Sequence, residues 1–157
     1  MTPLITLLDE ADYRRHFEQS YCRGAVVAHD GIRVFFKKSA FDHAFYESSK
    51  RDGVKDTFSL VRAQRLDWIA ETLTNPAATR YQGYVRKIRS YDPTRCVGVV
   101  LEDFVVVLAL GLKADGQLKG EFVTCYQADN SIGKIRQSPL WDKALCLAEL
   151  EKRKGGR

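Results

Sequence analysis

Val97-Gly98-Val99-Val100-Leu101-Glu102-Asp103-Phe104-Val105-Val106-Val107-Leu108-Ala109-Leu110 is the stretch that decides the fold. Two apolar, β-branched runs of strand length flank an acidic dipeptide. This spacing predicts a tight antiparallel pair, 97–101 against 104–110, turning at Glu102-Asp103. The unbroken Val105-Val106-Val107 run belongs in the middle of a sheet, covered on both faces.

Working outward, Tyr81 to Tyr91 reads as a long strand with Asp92-Pro93 as its turn. Gly116 marks a turn on the other side, and Glu121 to Gln127 reads as the last strand. Strands joined by short turns predict a four-stranded antiparallel meander. Upstream, Asp9 to Tyr21 has helical spacing and ends before Gly24. Ala25 to His29 and Ile32 to Phe36 flank Asp30-Gly31, which signals an extra N-terminal β-hairpin. Ser39 is placed to cap a short helix, Ala40 to Ser48. A further helix carries an apolar stripe of Phe58, Leu66, Ile69 and Leu73 and stops at Thr74-Asn75-Pro76. Ser138-Pro139 is expected to open a C-terminal helix reaching about Lys152. The expected class is α+β, a single domain over 1–157 with a core at about 26–138 and a flanking helix at each end.

Composition bounds the function. The chain has 157 residues, 45% hydrophobic and 29% charged, enough for one domain with a real core. No apolar run approaches the ~20 residues of a membrane span, so no membrane partner is expected. The start, Met1 to Glu10, lacks a basic segment and reaches acid at Asp9, which does not read as a secretory signal. Cys22, Cys96, Cys125 and Cys146 are widely spaced, without CxxC or zinc spacing. Reduced thiols, a cytoplasmic location and no metal or cofactor are the expectation. Net charge is +5 and the pI about 9.1, which favours a polyanionic partner. The cations concentrate at Arg80, Arg86, Lys87, Arg89 and Arg95, and again at Lys134 and Arg136. The basic tail, Lys152 to Arg157, reads as a solvated end.

Arg62 and Arg65 project into the apolar stripe of their helix. A guanidinium directed inward needs an anion, because an unpaired buried charge is costly. The partner is either a set of carboxylates within the protein or a phosphate brought by a ligand. On the last strand, strict alternation puts Phe122, Thr124 and Tyr126 on one face and Val123 and Cys125 on the other. Hydroxyls of Thr124 and Tyr126 beside guanidinium groups suit a phosphodiester. Among the histidines, His43 is the candidate for proton transfer near neutral pH. Its helical angle opposite Phe41 and Phe45 equally allows a solvated side chain.

Three segments together resemble the phage-associated BECR-fold nucleases, the superfamily of barnase, EndoU, the tRNase colicins and RelE. They are Val34 to Tyr46, Arg62-Ala63-Gln64-Arg65-Leu66-Asp67-Trp68-Ile69 with Leu73-Thr74-Asn75-Pro76, and Phe122-Val123-Thr124-Cys125-Tyr126-Gln127-Ala128-Asp129. The resemblance covers roughly 26–138. It implies helices on a four-stranded antiparallel sheet and a metal-independent endoribonuclease. Attack by the RNA 2′-OH on phosphorus would leave a 2′,3′-cyclic phosphate. It also implies a toxin or phage-conflict effector, with RNA and an antitoxin or immunity protein as partners. The implied catalytic positions are His43, Arg62, Arg65, Thr124 and Tyr126. Cys125 stands where a small residue such as Ala is usual. Lys87, Arg89, Lys134 and Arg136 would hold the flanking RNA backbone. Two rivals use the same features: a non-catalytic RNA-binding or ribosome-docking module, and a phage protein-interaction domain.

Overall fold

The structure is a computed structural model that describes residues 1–155. In chain order the elements are α1 (Glu10–Tyr21), β1 (Val26–Val27), β2 (Arg33–Phe35), α2 (Ala40–Phe45), β3 (Tyr46–Glu47), β4 (Thr57–Phe58), α3 (Leu60–Ala63) and α4 (Leu66–Thr74). They continue as β5 (Thr79–Tyr81), β6 (Gly83–Val85), β7 (Ser90–Asp92), β8 (Val97–Leu101), β9 (Phe104–Leu112), β10 (Leu118–Gln127), α5 (Ile132–Ile135) and α6 (Lys143–Gly155). The class is α+β. No helix among the described residues is long and apolar enough to cross a membrane.

The decisive pair forms in the expected register, from Val97 opposite Leu108 to Leu101 opposite Phe104. Glu102 makes the two-residue turn with φ 55°, the left-handed backbone such tight hairpins require. Val106 is sealed against the helices and Val105 is sealed on the opposite face.

The sheet is larger than the expected meander. It has six strands in the order β1-β2-β10-β9-β8-β5. Strands β5, β8, β9 and β10 are antiparallel neighbours. The N-terminal hairpin is no separate extra: β2 lies parallel to β10, with Val34 opposite Gly120. A hairpin this short cannot bury its own apolar face. Docking on the edge of β10 sends Ile32, Val34 and Phe36 into the core and covers an otherwise open edge.

The expected strand from Tyr81 to Tyr91 is broken. β5 ends at Tyr81, and β6 and β7 fold into their own two-stranded sheet. The turn falls on Arg86-Lys87-Ile88-Arg89, with Arg89 at φ 50°, because this charged run has no apolar face to bury. Gly83 permits the bend: a Cβ there would lie 2.3 Å from the Cys96 carbonyl oxygen.

The arginine-bearing helix is two helices. α3 starts at Ser59, whose hydroxyl accepts from the Arg62 amide at 3.3 Å, and the chain turns at Gln64 and Arg65 before α4. The Ile5 amide donates to the Gln64 carbonyl at 3.0 Å, so the N-terminal segment satisfies the break. One bond of α4 is also bridged by a side chain. The buried Tyr21 hydroxyl donates to the Leu66 carbonyl at 2.6 Å and accepts from the Ala70 amide at 3.2 Å. Burial drives this phenol far above its usual titration range, so it remains a donor. Tyr21→Phe leaves that carbonyl and amide facing a gap. A loss of about 1–3 kcal/mol is expected in urea melts, with the midpoint shifted and the slope unchanged.

Two helix starts also differ from the expectation. Ser39 makes no side-chain capping bond at α2, which ends at Phe45 and leads directly into β3. α6 starts late, because the chain around Ser138-Pro139 is taken up by an edge pairing. Leu140 bridges Tyr81, and the Trp141 amide donates to the Arg80 carbonyl at 2.9 Å. Asp142, not Ser138, then receives the Leu145 amide at 2.9 Å.

The basic tail is only partly solvated. Arg153 bonds the buried Asp92 carboxylate at 3.1 Å and the Thr94 hydroxyl at 2.8 Å, tying α6 to β7. Gly156 and Arg157 lie outside the described residues.

The helix-side core is centred on Phe17, whose ring meets Tyr21, Phe36, Phe41, Phe45 and Phe122. This aromatic cluster fixes α1 and α2 against β10, and so positions the cleft described next.

Candidate functional site

Alternation on β10 is interrupted. The register with β9 slips between Phe122 and Thr124, so Val123 is an extra residue in a β-bulge. Phe122 and Cys125 therefore share the helix-side face and are both buried. Thr124 and Tyr126 pair with Val107 and Val105 and look out through the opposite face. The bulge thus separates Phe122 from the two hydroxyl residues that simple alternation placed beside it.

At the end of β10 a cleft of about 160 Å³ is lined by Glu47, Val61, Arg62, Arg65, Phe104, Tyr126, Gln127 and Asp129. It brings Arg62, Arg65 and Tyr126 together. Arg62 comes from the C-terminal turn of α3, Arg65 from the break before α4, Glu47 from β3 and Tyr126 from β10.

The two arginines differ in their partners. Arg62 donates to the Ala44 carbonyl at 3.2 Å and lies 3.6 Å from the Glu47 carboxylate, so it has an internal anion. Arg65 donates to the Val61 carbonyl of α3 and lies with its guanidinium carbon 4.9 Å from the Trp68 ring centre. It forms no ion pair with a carboxylate among the described residues. Its Nε is buried without a hydrogen-bond partner. Buried donors of this kind are rare and call for a partner.

Tyr126 stands between this cleft and a second, larger cavity, and lines both. Burial pushes its phenol above the ordinary value, with Arg62 pulling partly the other way. At neutral pH it is a protonated donor. Beneath it, burial pushes the Cys125 thiol up to about 12, again against the pull of Arg62. Cys125 is a packing residue and not a nucleophile.

The other sequence candidates scatter. His43 is exposed on α2, whose buried residues are Phe41, Ala44 and Phe45; it does not line the cleft. Its helical phase turns it to solvent, the alternative that its angle opposite Phe41 and Phe45 left open. Thr124 lies two residues before Tyr126 on the same face of β10 and lines neither cavity. Lys87 and Arg89 are exposed in the β6–β7 turn, and Lys134 lines the larger cavity. Arg136 donates to the Glu102 carbonyl, holding α5 over the β8–β9 turn.

Sequence reasoning missed Glu47, Gln127 and Asp129. Glu47 fell inside the helix expected to run on to Ser48, whereas the helix ends at Phe45 and Glu47 lies on β3. Gln127 and Asp129 stood in the quoted strand-end segment but were given no role. No group of His, Cys, Asp and Glu among the described residues is arranged to hold a metal ion. Comparison with protein-family models, with curated proteins and with solved structures finds no match.

Proposed function

We propose that this chain is a metal-independent endoribonuclease of BECR type, acting at the cleft of Arg62, Arg65 and Tyr126. The single observation that carries this reading is Arg65, a half-buried guanidinium lining the cleft that pairs with no carboxylate among the described residues. A phosphate in the cleft neutralises that charge. Arg62 then shares the non-bridging oxygens as the phosphorane develops.

The remaining parts are within the same cleft. The Glu47 carboxylate takes the proton from the ribose 2′-OH. The oxygen attacks the adjacent phosphorus, and the bond to the 5′-oxygen breaks. The Tyr126 phenol gives its proton to that leaving oxygen. The products are a 2′,3′-cyclic phosphate and a 5′-hydroxyl. The exposed Arg86, Lys87 and Arg89 extend the positive surface toward flanking backbone, with Lys134 and Arg136 on the other side. A toxin or phage-conflict role, with an antitoxin or immunity protein as partner, accompanies this reading through the sequence resemblance alone. A cytoplasmic location is part of the same proposal.

A second reading, an RNA-binding module without catalysis, is favoured by one observation: the histidine expected to move protons lies outside the cleft. The two separate on a single atom. An oligoribonucleotide with one 2′-deoxy residue at the scissile position should still bind and no longer be cut there. Cleavage of that oligomer at the same bond would overturn the mechanism, whereas binding of the all-ribose strand without cleavage supports the second reading.

A further inference from the structure

On the sheet face opposite the main helix layer lies a cavity of about 590 Å³, within the roughly 300–1,000 Å³ range of ligand sites. Its walls carry Tyr81, Tyr84, Tyr91 and Tyr126, with Arg86 and Lys134 also lining it. No Asp or Glu is among its lining residues.

Several features of the chain create this space. The β6–β7 hairpin leaves the main sheet and stands over it as a wall. Tyr84 and Tyr91 are cross-strand partners on that hairpin, with ring centres 5.4 Å apart and planes at 70°. Both are exposed, at 52% and 37%, although an aromatic pair of this size would ordinarily be packed away. Gly98, paired with Val107 and Tyr81 on the sheet, lines the floor. The absence of a side chain there keeps the cavity open.

We infer that this cavity is a nucleobase subsite, which takes a base of single-stranded RNA next to the phosphate held at Arg62 and Arg65. The inference rests on the ribonuclease reading, since Tyr126 is the shared wall of the two cavities. Tyrosine faces stack bases of any sequence. Cations without neighbouring carboxylates suit the backbone that enters with the base. The occupant is a base with its phosphate rather than an apolar peptide, because the aromatic walls come with positive charge and no acidic counterpart.

The test uses 2′-O-methylated hexanucleotides, which bind but cannot be cleaved, with and without one abasic position, read by fluorescence anisotropy. The intact probe should bind more tightly than the abasic one. Tyr84→Ala and Tyr91→Ala should each weaken the intact probe by about 5–150-fold, the loss expected for one base–aromatic stack. They should leave binding of the abasic probe nearly unchanged. Tyr84→Trp should restore binding, and Gly98→Leu, which fills the floor, should weaken it without a tyrosine being touched. Equal binding of intact and abasic probes, or wild-type binding by the alanine variants, overturns the subsite.

The two proposals fail separately. Loss of base-dependent binding in the tyrosine variants, in a protein that does not cut all-ribose RNA, leaves the subsite standing and removes the nuclease. Normal cleavage and binding in Tyr84→Ala, Tyr91→Ala and Gly98→Leu removes the subsite and leaves the nuclease.

Discussion

Arg65→Ala is expected to lower RNA cleavage by about 10²–10³-fold, the usual loss when one preorganised donor to a developing oxyanion is removed. The melting temperature should change little. Among the described residues Arg65 has no carboxylate to leave stranded, and its removal eliminates the buried Nε that lacks a partner. Arg62→Ala should cause a comparable loss of rate. Its partner Glu47 is half-exposed, with a side chain 51% accessible, so the pair contributes only about 0–1 kcal/mol to stability. If both arginines were instead structural, truncation would unpair a buried charge at about 3–5 kcal/mol. Thermal melts beside single-turnover cleavage decide between the two. His43→Ala is the internal control and should cleave at close to the wild-type rate, since His43 faces solvent away from the cleft.

Tyr126→Phe should reduce the cleavage rate by about 10²–10⁴-fold, the range for loss of a positioned proton donor. The pH profile carries the diagnostic. Burial raises the Tyr126 phenol and Arg62 only partly offsets this, so the acid form persists through neutral pH. The rate should fall only as pH rises past about 10, the ordinary value for a tyrosine. That alkaline limb should vanish in the phenylalanine variant. A wild-type limb centred between pH 6 and 8, at about the range of a histidine, would assign the proton transfer to another residue.

The sequence made the local pairings legible. Val97 to Leu101 and Phe104 to Leu110 read as a hairpin because two β-branched runs flank a two-residue turn, and their register follows from it. The Asp30-Gly31 hairpin and α1 were visible for similar local reasons. The parallel docking of β2 on β10 was not, because it depends on which edge is left uncovered after the rest has folded. Neither was the break at Gln64 and Arg65: the apolar stripe continues through it, and the Ile5 and Tyr21 groups that satisfy and distort the helices come from distant sequence.

The site was legible in part. Arg62 and Arg65 stood out because charge on an apolar stripe is a conflict between local pattern and burial, and Tyr126 joins them. The bulge at Val123 hid the true facing of Phe122. Glu47 was hidden by a helix boundary, the least secure reading along any sequence. The tyrosine-lined cavity arises from a break at Gly83, where the chain must pass within contact of the Cys96 backbone. Only the tertiary structure reveals that constraint.

The central claim is that the cleft of Arg62, Arg65 and Tyr126 cuts RNA through its own 2′-OH. End-group analysis of an oligoribonucleotide incubated with the purified protein in EDTA tests it most directly. A 2′,3′-cyclic phosphate on one fragment and a 5′-hydroxyl on the other is the expected result. Fragments bearing a 5′-phosphate, or cleavage that appears only when a divalent metal is added, would contradict it.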